Sequence, residues 1–187
     1  MVPELIKDAE EKMKKAIEST RHEYSQVRTG RANPGILEHV RVDMYGASLP
    51  LQQVAAVSVP ESRQLLITPF DRNALSHIEK AILKSDVGIT PNNDGQGIRL
   101  NIPPLTEQRR KDLIKQIHQK AEQGKASVRT VRQEAIKKLS TARKDKENPL
   151  SETDEKRATD QVQKLTDKYI AEIDTLTKGK EADLMEV

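Results

Sequence analysis

The stretch from Thr106 to Lys146, TEQRRKDLIKQIHQKAEQGKASVRTVRQEAIKKLSTARKDK, decides the fold. Its apolar and small residues Ile114, Ile117, Ala121, Gly124, Val128, Val131, Ala135 and Ala142 recur at steps of three and four. Such a seam predicts one long amphipathic α-helix with a single buried stripe. Lys138 interrupts it, and Leu139 fills in beside the gap. Thr106 reads as the N-cap, and Glu107 sits where the helix dipole favours negative charge. Close to forty helical residues run on the order of 55 Å.

The same period appears on both sides of this stretch. Residues 4–28 carry Leu5, Ala9, Met13, Ala16, Thr20, Tyr24 and Val27 on one stripe, widened by Ile6 and Ile17. The pattern stops at Thr29-Gly30-Arg31-Ala32-Asn33-Pro34, where Gly30 reads as a C-terminal cap and Pro34 forbids continuation. On the other side, Asn148-Pro149-Leu150 turns the chain and Ser151-Glu152-Thr153-Asp154 resembles a capping box. Ala158, Val162, Leu165, Tyr169, Ile173 and Leu176 then stripe a last helix. Three long helices with one stripe each predict an elongated antiparallel three-helix bundle, formed by residues 1–29 and 106–187.

Residues 30–105 break the helical period. Residues 40–46 and 98–102 alternate apolar with polar, and Val57-Ser58-Val59 and Leu65-Leu66-Ile67-Thr68 add β-rich runs. Residues 74–83 read as one short helix. The expected fold class is therefore α+β, with a small, β-rich mixed α/β domain inserted between the first two helices of the bundle. Two chain crossings would join the units, near 29–31 and 102–105. Thr29, Gly30 and Arg31 on one, and Pro103 and Pro104 on the other, fit a hinge of limited travel.

Charge is concentrated in one place. Residues 106–146 hold 13 Lys or Arg against 5 Asp or Glu, a net +8, whereas the whole chain of 187 residues is +3. Residues 151–187 are net −4, with 6 basic and 10 acidic side chains. Within the basic helix, Lys111, Lys115, His118, Glu122, Lys125, Arg129 and Arg132 advance by alternating four and three, which lays them in a line away from the seam. Arg129 and Arg132, one turn apart, offer forked donors suited to phosphate oxygens. The plainer alternative is a solvated face whose cations pair with the acidic last helix.

A polyanion matched to a straight basic rod is folded RNA, recognised by phosphates and shape. One Phe, three Tyr and no Trp provide too few stacking platforms for an unstructured strand. Each phosphate neutralised adds about 0.7–0.9 to the log–log salt slope. Other chemistries find little support. Without cysteine there is no disulfide frame and no thiolate metal site. His22, His39, His77 and His118 lack metal-ligand spacing, so no metal and no cofactor is expected. Asp94-Gly95-Gln96-Gly97 lacks the Gly-Lys-Ser/Thr of a phosphate loop and reads as a turn into the strand after it. No nucleophile motif appears, and no catalytic residue is assigned. Neither a signal peptide nor a membrane-length apolar run is visible, and a soluble cytoplasmic protein is expected.

Several stretches together resemble the bacterial ribosome recycling factor family along the full chain. They are Val27-Arg28-Thr29-Gly30-Arg31-Ala32, residues 104–113 (Pro104 to Leu113), Val128-Arg129-Thr130-Val131-Arg132, Gln163-Lys164-Leu165-Thr166-Asp167 and residues 180–185 (Lys180 to Met185). The resemblance implies an L-shaped monomer that binds large-subunit ribosomal RNA. With elongation factor G and GTP, it would split the ribosome left on messenger RNA after termination. It also implies RNA contacts at Arg110, Arg129 and Arg132, with Arg28 near them; the line adds Lys111, Lys115 and Lys125. The turn at Glu147-Asn148-Pro149-Leu150-Ser151 is longer than the family's usual one. The alternative reading is a non-enzymatic helical adaptor or chaperone with a basic arm.

Overall fold

A computed structural model describes residues 1–186. Along the chain run helix α1 (Val2–Ser25), strands β1 (Arg41–Met44) and β2 (Ala47–Pro50), the single-turn α2 (Leu51–Val54), β3 (Ala55–Glu61) and β4 (Gln64–Pro69). Helix α3 (Leu75–Lys84), β5 (Asn92–Asn93), β6 (Ile98–Asn101), α4 (Glu107–Arg143) and α5 (Glu152–Met185) follow. The chain divides into two compact units, one formed by Met1–Val27 with Glu107–Met185 and the other centred on Arg28–Thr106.

In the helical unit, cross-helix pairs give the directions. Arg143 meets Glu155, Arg132 meets Gln163 and Lys125 meets Asp174, so numbers fall on α4 as they rise on α5. Lys138 with Asp8 and Lys120 with Glu23 set α1 antiparallel to α4 in the same way. Tyr169 with Glu10 and Tyr24 with Thr177 rise together, so α1 and α5 are parallel. The result is an antiparallel three-helix bundle.

The buried α4 residues are Leu113, Ile117, Ala121, Gly124, Val128, Ala135 and Leu139. Here the expected seam is corrected at its start, where Leu113 replaces Ile114 as the buried residue; near its end Leu139 is buried beside the exposed Lys138, as expected. A heptad repeat advances 3.5 residues per turn, but a straight helix needs 3.6, so the seam drifts by one position over a helix this long. The same drift buries Thr166 and Thr177 while leaving Leu165 and Leu176 half-buried on α5; on α1 Ile17, which widens the expected stripe, is buried and Ala16 half-buried. Threonine is tolerated there because each hydroxyl is satisfied by its own helix. Thr20, Thr166 and Thr177 donate to the carbonyls of Ala16, Val162 and Ile173 at 2.9, 2.8 and 2.7 Å. Having spent its one proton on Ile173, Thr177 Oγ1 must accept from the Tyr24 hydroxyl, 2.7 Å away.

Two helix ends differ in kind. Gln26 caps α1, its N–H bonding Tyr24 O at the end of a helix that stops at Ser25; Gly30 lies beyond the cap and its φ is not positive, so its expected capping role is corrected. At the start of α5, Ser151 Oγ accepts from Asp154 N at 3.1 Å and donates to Asp154 Oδ2 at 2.7 Å, a capping arrangement with Asp in the third position. In the turn before it, Asp145 Oδ1 accepts from Glu147 N and Asn148 N at 2.8 and 3.1 Å.

In the second unit every strand pair is antiparallel, with β1–β2 a hairpin and the other sheet ordered β3-β4-β6-β5. Leu65 faces Leu100 and Ile67 faces Ile98 across β4 and β6, all fully buried, and α3 closes the core with Ile78 and Ile82. The strand expected over 40–46 stops at Met44. Tyr45 and Gly46, at φ 54° and 74°, form the two central residues of a hairpin turn, a conformation open to glycine and costly for tyrosine. Asp94 accepts from Gln96 N and Gly97 N at 2.9 and 2.8 Å, the turn expected ahead of the strand that starts at Ile98.

Gly124 and Gly179 offer a controlled comparison. A Cβ at Gly124 would collide with Thr20 Oγ1 and come within 3.3 Å of Ile173 Cδ1, whereas one at Gly179 meets nothing within 4 Å. Alanine is the better helix former at both sites by about 1 kcal/mol. We therefore expect Gly179→Ala to stabilise by up to that amount and Gly124→Ala to destabilise by about 1–3 kcal/mol through overpacking, both read from urea unfolding.

Acid is a second probe. Hydrogen bonding to Lys12, with Lys138 also near, holds Asp8 below its ordinary 3.8, and Lys120 holds Glu23 below its ordinary 4.5. A lowered folded-state pKa gives stability that is full above the unfolded value and lost as the pH falls through the folded one. The melting temperature should drop below about pH 4.5, and Asp8→Asn with Glu23→Gln should flatten that drop.

Candidate nucleic-acid interface

The basic residues of α4 resolve into two columns. Four residues turn a helix by about 400°, so Lys115, Glu122 and Arg129 stand some 40° around from Lys111, His118, Lys125 and Arg132. The second of these columns borders α5. Lys125 Nζ lies 2.6 Å from Asp174 Oδ1 with its side chain only 17% exposed, and the bond to Asp174 raises its pKa. His118 Nε2 contacts Glu181 Oε1, and Arg132 Nε donates to Gln163 Oε1 at 2.6 Å. Lys111 pairs with Glu107 one turn back at 3.4 Å and remains exposed.

The outer column is freer. Lys115 is exposed and, among the described residues, forms no ion pair. Arg129 is 54% exposed and reaches Glu122 only at 4.0 Å. Arg109 is exposed and Arg110 half-buried at the start of the helix. The continuous basic line is therefore corrected at Lys125: its ammonium is directed at α5 and its stem is covered, because the acidic helix lies along that edge. Arg28 belongs to the other unit, where its Nη2 donates to Val87 O at 3.3 Å.

The partners on α5, Asp174, Glu181 and Gln163, are invisible to a reading of α4 alone. Their spacing of seven and eleven residues, matched to His118, Lys125 and Arg132 on an antiparallel partner, is the signal that finds them. Among the residues expected near the crossings, Arg31 N bonds Thr29 Oγ1 at 3.3 Å, Gly30 is half-buried, and Pro103 and Pro104 are exposed. Among the described residues no group of three or more His, Cys, Asp or Glu could hold a metal ion. Among the described residues no helix is long and apolar enough to cross a membrane.

The profile of the family described as ribosome recycling factor matches residues 20–185, which takes in the last turns of α1 and the whole of both basic columns. The chain belongs to the ribosome recycling factor family. Ribosome-recycling factors from Shouchella clausii and Natranaerobius thermophilus are 51% identical over 187 residues, the whole of both chains, and 52% identical over 180 residues, 96% of this chain and 97% of the relative. A solution structure of the ribosome recycling factor superposes with TM-score 0.76 at 39% identity, covering 100% of this chain and 98% of the other. A second structure, at TM-score 0.64 and 44% identity over all of both chains, shows T. thermophilus ribosome recycling factor, alongside E. coli elongation factor G, bound to the E. coli post-termination complex. The fold of the family, a helix bundle with a small sheet domain, is the fold seen here.

The two columns should separate in stability measurements. Lys125→Met removes a half-buried ion pair and should cost up to about 1 kcal/mol. Lys115→Met should stay within about 0.5 kcal/mol of the parent, as surface substitutions do. Urea midpoints of the two variants check this.

Proposed function

We propose that this protein is a translation factor of the bacterial cytoplasm that acts as a monomer on the post-termination ribosome. It binds large-subunit ribosomal RNA and, with elongation factor G and GTP, promotes subunit splitting and ribosome recycling. It has no enzymatic step of its own; the hydrolysis belongs to the elongation factor. The observation that carries this reading is the match, over the whole of both chains, to a recycling factor bound to the post-termination complex in a structure that also includes elongation factor G. The charge distribution supports it. An exposed basic column on α4 suits phosphates held at fixed spacing on structured RNA.

In this reading Arg110, Lys111, Lys115, Arg129 and Arg132 meet ribosomal RNA, and Arg28 is a further contact. Lys125 is reassigned to holding α5. The bundle is the anchored body. The α/β unit is the one displaced, and residues 29–31 with 102–105 are the hinge. Gly30 permits backbone change on one crossing, while Pro103 and Pro104 limit it on the other.

The deciding experiment is breakdown of purified post-termination ribosomes by the protein with elongation factor G and GTP, each omitted in turn. Subunits should appear only when all three are present; splitting without the protein, or none with all three, would remove the assignment. For the anchor, Arg129→Ala with Arg132→Ala should lower the log–log salt slope of large-subunit binding by about 1.4–1.8. An unchanged slope would place the RNA contact elsewhere. For the hinge, a crosslink between the two crossings should stop splitting while leaving binding intact.

A further inference from the structure

Arg132 is held by one nitrogen only. Its Nε donates to Gln163 Oε1 at 2.6 Å, and Gln163 Nε2 donates on to Asp167 Oδ1 at 2.9 Å. The direction of that amide is fixed by chemistry. A guanidinium only donates and an ionised carboxylate only accepts, so the glutamine must turn its oxygen to Arg132 and its nitrogen to Asp167. Gln163 and Asp167 are four residues apart and share a face of α5. Among the described residues neither Nη of Arg132 has a hydrogen-bond partner.

The guanidinium is planar, so fixing Nε–H fixes its plane and the direction of both Nη groups. We propose that Gln163, backed by Asp167, is a positioning residue that presents the Nη fork of Arg132, already oriented, to one phosphodiester of folded RNA. This rests on the reading of Arg132 as an RNA contact given above. The contrast with Lys125 shows what a neutral partner achieves. Asp174 binds the Lys125 ammonium directly and cancels its charge at short range. Gln163 takes up only the one donor a phosphate fork does not need, and the carboxylate that orients the amide stands one side chain further away. Arginine loses rotational freedom when it binds, and a side chain ordered beforehand loses less.

Gln163→Met keeps length and helix propensity but removes the amide. Against purified large ribosomal subunits it should weaken binding by about 2- to 12-fold, the cost of ordering one long side chain. Its log–log salt slope should stay that of the parent, because no charge is lost. Arg132→Ala should instead lower the slope by about 0.7–0.9. Adding Gln163→Met to Arg132→Ala should have no further effect, since the two act through one contact. Asp167→Asn, which keeps an acceptor for the amide, should bind at least as tightly as the parent. Without any ribosome, the Arg132 Nε–H signal in NMR should be protected from exchange in the parent and lose that protection in Gln163→Met, with the Arg129 signal unchanged. Parent-like binding by Gln163→Met, or an equal loss in the Arg132→Ala background, overturns the proposal. Parent-like binding by Arg132→Ala overturns the interface beneath it instead, and the NMR signal still decides whether Gln163 holds the guanidinium.

Discussion

The bundle depends on how closely α1, α4 and α5 approach at Gly124. A glycine in the middle of a 37-residue helix is a local liability, costing about 1 kcal/mol against alanine. It is kept because Thr20 and Ile173 occupy the space a Cβ would need. Thr20 can enter a dry contact because its hydroxyl is satisfied by the Ala16 carbonyl of its own helix. Small residues at a crossing allow helix axes to come toward the short end of the usual 8–10 Å range. From this point the seams run outward, Leu113 to Leu139 on α4 and Ala158 to Leu184 on α5. Few large side chains are required, which is how a chain with so low an aromatic content holds three long helices together.

Close packing also decides which charges remain available. Once α5 lies against α4, its acids Glu181 and Asp174 fall beside His118 and Lys125 of the basic helix. Lys125 becomes part of the bundle, while Lys115 and Arg129, 40° further round, do not. Tyr169 shows the same partition within the fold. Burial and a bond to Glu10 push its hydroxyl up to about 12, so it stays protonated and keeps α1 and α5 in register at any physiological pH. The acidic helix is thus both a scaffold and a filter on which cations of α4 stay exposed.

The three long helices are legible in the sequence because a 3.6-residue period survives over many turns and punctuation is sharp at Asn148-Pro149-Leu150. What the period leaves open is one position of phase. Leu113 for Ile114 is the cost of counting in heptads along a straight helix. The capping group at Ser151 and the turn at Asp94 are legible because short polar side chains bond their own backbone at fixed offsets. Strands β2 and β5 are not legible: one is four residues with a proline, the other two asparagines, and both exist only through pairing with a neighbour. The same limit applies to the interface. Lys111, Lys115, Lys125, Arg129 and Arg132 can be placed on α4 from the sequence. Which of them is free depends on the register of a helix some forty residues later, which no local rule supplies.

The parallel pairing of α1 with α5 has a consequence for synthesis. Tyr24 and Thr177 are 153 positions apart, yet their hydroxyls share one buried bond. The strands and short helices of the small α/β unit all lie within Arg28–Thr106 and can pack as soon as that segment leaves the exit tunnel. Helix α1 is made first, but its apolar face has no partner until α4 and α5 have been made. Between the synthesis of α1 and that of α5 the nascent chain therefore carries an unfinished amphipathic helix, and the bundle closes only once α5 has been made.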